Sequence, residues 1–130
     1  MGFIPHSYDT GAPHGWEYVE ASGLGEVMEG MALTLANGKL VKATGTTKPK
    51  YIGMFRGAVE DGDIIPVLRA SSDVIFETTA AVSVAGVKVG DSVTIHTDGL
   101  QVTATTADGV AEIVRKDGDE EGASVFVRFA

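Results

Sequence analysis

Apolar and polar residues alternate along this chain in short stretches divided by Gly, Asn, Asp and Ser. Asp73-Val74-Ile75-Phe76-Glu77-Thr78-Thr79 is one such stretch, and Ser124-Val125-Phe126-Val127-Arg128-Phe129 is another. A period of two, with Val, Ile, Thr and aromatics favoured, predicts strands, and turn residues at each break predict an all-β domain with little helix. Met31 to Leu35, then Asn37-Gly38, then Lys39 to Lys42 predicts a hairpin, because Asn-Gly supplies the positive φ angles of a type I′ turn. Strict two-residue pairing there sets Leu35 beside Leu40 and Leu33 beside Lys42, which leaves room for a bulge or a longer loop.

Further strands are expected at Tyr51 to Val59, Ile64 to Arg69, Val110 to Lys116 and Ser124 to Phe129, with turns at Glu60 to Asp63 and Asp117 to Gly122. Short strands bent at glycines are expected around Val82, Val84, Val87 and Val89, and a second hairpin turns at Asp98-Gly99. Pro66 removes a ladder donor, so its strand is expected on a sheet edge or beginning beyond the proline. Inward positions make Leu33, Leu35, Ile52, Val67, Val74, Phe76, Val93, Ile95, Val102, Val125 and Val127 the expected core. Phe126 points the other way, into a second layer or an interface.

Residues 1–15 break this pattern. Gly2, Pro5, Gly11, Pro13 and Gly15 punctuate them, and no period survives, so they are expected to form an extended N-terminal arm ahead of one β domain over 16–130. The arm still carries Phe3, Ile4, Pro5 and Tyr8 and leads into Trp16, a set too apolar for a solubilising tail. It is expected to order on a partner. A second contact is expected at Ile64-Ile65-Pro66-Val67-Leu68, which is apolar on both strand faces and needs burial on both sides.

Composition narrows the chemistry. The 130 residues include 10 Lys+Arg and 18 Asp+Glu, a net charge of −8 that argues against nucleic acid as partner. Zero cysteines rule out disulfides, thiolate metal sites and a cysteine nucleophile. Neither an export signal nor a membrane span is evident, so a protein made in the cytoplasm is expected, with no membrane partner. Acids are absent between Glu29 and Glu60, where Lys39, Lys42, Lys48, Lys50 and Arg56 form a candidate basic docking strip for an acidic neighbour.

Motifs for catalysis and metals do not assemble. His6, His14 and His96 lie far apart, and Asp117 to Gly122 opens like a calcium loop but sets Arg128 where the bidentate Glu belongs. Gly38-Lys39 lacks the upstream glycine of a phosphate loop, and no Gly-x-Ser-x-Gly elbow occurs. No enzyme activity, cofactor or metal is expected.

The run Gly30 to Thr44 around its Asn-Gly-Lys hairpin, then Lys48 to Met54, then Gly62-Asp63-Ile64-Ile65-Pro66-Val67-Leu68-Arg69, resembles the small head decoration proteins of tailed bacteriophages. The likeness spans roughly residues 24–95 and lies in hairpin grammar. The short strands fit a small sandwich or partly open, tulip-like β-barrel, and the resemblance implies a virion protein that cements the outer surface of a head. The implied partners are the major capsid protein and further copies of itself, most often as a homotrimer, with the N-terminal arm reaching the capsid. The alternative is a carbohydrate-binding β module using Trp16, Tyr18 and Tyr51 as a stacking platform.

Overall fold

The computed structural model describes residues 2–9 and 11–129; Met1, Thr10 and Ala130, at the ends or inside of the expected arm and domain, lie outside the described residues. Among the described residues twelve strands run in chain order: β1 Ile4–Tyr8, β2 Glu17–Glu20, β3 Gly25–Val27, β4 Ala32–Ala36, β5 Lys39–Lys42, β6 Tyr51–Gly53, β7 Gly57–Val59, β8 Ile64–Arg69, β9 Val74–Thr79, β10 Ser92–Val93, β11 Ala111–Lys116 and β12 Ser124–Phe129. No helix occurs among the described residues. One sheet has the order β1-β9-β12-β11-β10, a second the order β2-β8-β6-β4-β5, and β3 pairs with β7 alone. The arrangement is a small β sandwich. An isolated bridge from Ala21 to Leu40 draws β2 towards β5 without closing the second sheet into a barrel.

Two apolar cores explain why the layers hold. The larger lies between the sheets, where Phe76, Ile113, Val125, Val127 and Phe129 of the first meet Ala32, Ile52 and Leu68 of the second. The smaller occupies the opposite face of the second sheet, where Leu33, Leu40, Tyr51, Ile65 and Val67 pack with Val27 of β3 and Val59 of β7. Every residue of the expected core is buried except Leu35, which is half-buried against the smaller core. Phe126 is buried on the outer face of the first sheet, under the His6 ring at 4.7 Å and the Arg115 guanidinium at 4.6 Å.

The first hairpin adopts the strict register, with Leu35 opposite Leu40 and Leu33 opposite Lys42, so no bulge is needed. Asn37 and Gly38 have φ of 53° and 79°, the type I′ geometry. The Asp98-Gly99 hairpin also forms, through bridges rather than a long ladder; the Asp98 carboxylate accepts the Leu100 and Gln101 N–H groups and fixes its tip. By contrast, 81–90 forms turns: Val84 and Val87 are buried, Val82 and Val89 face solvent, and no strand forms. The expected strand from Tyr51 to Val59 is cut into β6 and β7, which belong to different sheets.

β8 lies inside its sheet, between β2 and β6, with Pro66 in its middle, so the expected edge position is wrong. Pro66 stands opposite Tyr18, while its carbonyl turns the other way to accept the Met54 N–H at 3.0 Å, just past the end of β6. Antiparallel ladders alternate bonded and non-bonded pairs. The missing N–H falls in a non-bonded slot towards β2 and beyond the ladder on the β6 side.

The expected free arm is also corrected. Ile4–Tyr8 is the outer strand of the first sheet, paired with β9, and Phe3 is fully buried in the larger core with its ring edge-on to Phe129 at 5.2 Å. The Phe3 N–H donates to the Gly30 carbonyl at 2.9 Å. A register shift between Pro5 and Ser7 breaks the period of two, and that bulge hid the strand.

Candidate functional site

The expected contact residues of the N-terminal segment separate by position. Phe3 is core and cannot meet a partner; Pro5 is half-buried opposite Phe76; Ile4 faces outward on the sheet edge. Tyr8 is half-buried, edge-on to the His14 ring at 5.1 Å, and burial together with the nearby Asp73 carboxylate pushes its hydroxyl pKa up. Trp16 is 54% exposed.

Trp16 belongs instead with a second group. On β2 and β8, Tyr18 stands opposite Pro66 and Glu20 opposite Ile64, so these side chains share one sheet face, while Val19 and Ile65 point to the smaller core. Tyr18 is 68% and Ile64 67% exposed, and Trp16 directly precedes the strand. Because β2 is the outer strand, the result is an exposed ledge of Trp16, Tyr18 and Ile64, beside the half-buried Pro66, along a sheet margin. Tyr and Trp so placed are the residues that most often anchor protein contacts.

The expected self-contact at Ile64 to Leu68 loses its basis. Ile65, Val67 and Leu68 are at most 2% exposed, because the chain covers β8 with a core on each face. Only Ile64 and part of Pro66 remain at the surface. β8 is buried on both faces, and its second cover is the β3–β7 pair of the same chain.

The expected basic strip divides as well. Lys39 is bonded to Asp61 at 3.1 Å and lies 3.5 Å from Glu20; the Asp61 hydrogen bond and charge hold its pKa above the ordinary lysine value. Lys48 and Lys50 line a cleft with Thr34, Pro49, Arg69, Ala70 and Ser71. Lys42 and Arg56 are exposed elsewhere. Arg69, absent from the expected strip, donates to both carboxylate oxygens of Glu17 at 3.0 and 2.9 Å and lies 5.3 Å from the Tyr51 ring centre. Tyr51 is 6% exposed, which removes it from any sugar-stacking platform.

Ser71, Asp73 and His14 meet in one chain of hydrogen bonds. Ser71 Oγ donates to one oxygen of Asp73, and His14 Nε2 lies 2.9 Å from the other. A serine nucleophile must pass its proton to a base, and here the hydroxyl faces a carboxylate while the imidazole sits beyond it, so the set is a clasp holding the 11–15 segment. The Ser71 hydrogen bond, followed by His14, holds the Asp73 pKa below the usual carboxylate range. A depressed pKa makes the ionised clasp stabilising above the unfolded carboxylate value, and that contribution is lost as pH falls through the lower folded value. Urea midpoints measured from pH 6 down to pH 2 are therefore expected to drop more steeply for the parent than for Asp73→Asn. Parallel curves would show that the clasp adds nothing.

Among the described residues, no three His, Cys, Asp or Glu side chains converge as a metal site. No described helix is long and apolar enough to cross a membrane. Compared with known proteins, the chain matches no protein-family model and no curated protein.

Proposed function

We propose that the protein is a structural virion protein, a decoration protein that binds the outside of a tailed-phage head and stabilises it. The observation that carries this reading is the exposed Trp16, Tyr18 and Ile64 ledge on a chain whose other large apolar residues are mostly packed in two cores. Such a ledge suits docking onto a preformed protein surface. The all-β fold and the type I′ hairpin within the run that resembles decoration proteins support the same reading. Its partner is then the major capsid protein, its place the capsid surface, and its synthesis in the host cytoplasm. Self-association as a homotrimer rests on the resemblance alone, now that β8 finds both its covers within the chain.

Exposed Trp16 and Tyr18 also favour a second reading, stacking on sugar rings as a carbohydrate-binding module. Co-sedimentation with undecorated heads, run beside a glycan array, separates the two. The parent is expected to pellet with heads, and Trp16→Ala/Tyr18→Ala to bind roughly 30-fold more weakly or worse, the loss of one interface hot spot. Unaltered thermal unfolding of the variant checks that the fold survives. Binding to glycans with none to heads transfers the function to the second reading.

A further inference from the structure

Two lysines line one cleft on a chain whose acids outnumber its cations. Of the ten cations, Lys39, Arg69, Arg115, Lys116 and Arg128 each hold an acid partner. Among the described residues Lys42, Lys48, Lys50, Arg56 and Lys88 do not, and of these Lys48 and Lys50 line the same cleft, of about 310 Å³, on a chain of net charge −8. Among the described residues no acid lines that cleft, while the half-buried Thr34 contributes to its wall. Arg69 closes one side, held in place by Glu17.

The cleft is also built firmly. Lys50 N–H donates to Leu33 O at 2.9 Å and Lys50 O accepts from Ala70 N–H at 3.0 Å, so the segment is stitched between β4 and the end of β8. Pro49 between the lysines is buried and biases Lys48 to extended backbone. Extended chain advances about 3.3–3.6 Å per residue, so Lys48 and Lys50 are spaced roughly 7 Å apart along it. Carboxylates on alternate residues of an extended peptide repeat at the same interval.

We propose that this cleft docks an extended acidic protein segment, with carboxylates two residues apart paired to Lys48 and Lys50. The inference does not depend on the head-binding reading, because the ledge and the cleft share no residue. Unpaired ammonium groups give up no acid partner to receive such a ligand, which favours binding at low ionic strength.

The probe is the peptide Glu-Gly-Glu-Gly-Glu, titrated into the isotope-labelled full chain in low salt, with the Gln-Gly-Gln-Gly-Gln peptide and inorganic phosphate as separate arms. Amide resonances of Thr34, Lys50, Ala70 and Ser71 are expected to shift with the acidic peptide alone. Lys48→Glu and Lys50→Glu are each expected to weaken binding roughly tenfold or more, and Lys88→Glu, which changes net charge equally at an exposed site outside the cleft, by less than about twofold. Lys50→Gln distinguishes lost pairing from misfolding, since it should weaken binding with an unchanged spectrum elsewhere. Equal weakening by Lys88→Glu would reduce the effect to overall charge and overturn the proposal. So would phosphate shifting the same amides as strongly as the peptide, or a peptide that leaves them unmoved.

Discussion

Phe3→Ala is expected to destabilise the protein by about 3–5 kcal/mol, the range for removing a buried phenylalanine from a packed core. Phe3 has no exposed surface, meets Phe129 edge-on, and fills the larger core at the point where β1 begins. Such a loss is a large part of the roughly 5–15 kcal/mol that separates folded from unfolded states. Removing residues 2–8 altogether should be worse, since it also strips β9 of its outer neighbour and leaves β9 as an open sheet edge prone to association. Denaturant unfolding reads the effect directly. A change below about 1 kcal/mol for Phe3→Ala, with the slope of the transition unchanged, would return the segment to the status of a loose arm.

Gly30→Ala is expected to cost about 3 kcal/mol or more, through two separable causes. Gly30 has φ of +89°, and a Cβ there would press on the backbone of Gly2 and Phe3. The residue has no freedom to move away: its N–H donates to Gly53 O at 2.8 Å and its carbonyl accepts from Phe3. Gly62, with φ of +93° and open space around it, supplies the comparison. Gly62→Ala should lose only the conformational part, about 1–2 kcal/mol. If the two substitutions cost the same, the close crossing of the N-terminal segment over the 29–30 turn does not exist in solution.

These two positions mark where the sequence was hard to read. Alternation in β9 and β12 exposes their inner faces plainly, and Asn37-Gly38 dictates its own turn, so the sandwich and most of its core follow from local pattern. β1 does not, because a bulge after Pro5 offsets the period and glycine at position 2 reads as looseness; only the three-dimensional crossing shows that Gly2 is there for close approach. Pro66 misleads for a related reason, since its tolerance depends on which pairs of the ladder are bonded. Whether a strand has one cover or two is likewise a tertiary property. Ile64 to Leu68 announced burial on both faces, yet the identity of the second cover lay some distance away in β3 and β7. The ledge was half visible in Trp16 and Tyr18. The cleft was not, because Arg69 and Ser71 join Lys48 and Lys50 only after β8 returns alongside β6.

Cryo-electron microscopy of undecorated heads incubated with saturating protein tests the central proposal most directly. Ordered density for this fold is expected at regular positions on the outer surface, with the Trp16, Tyr18 and Ile64 face turned to the capsid, and decorated heads are expected to withstand higher temperature than bare ones. Bare heads that show no added density at saturation, and melt at the same temperature with the protein as without it, would contradict it.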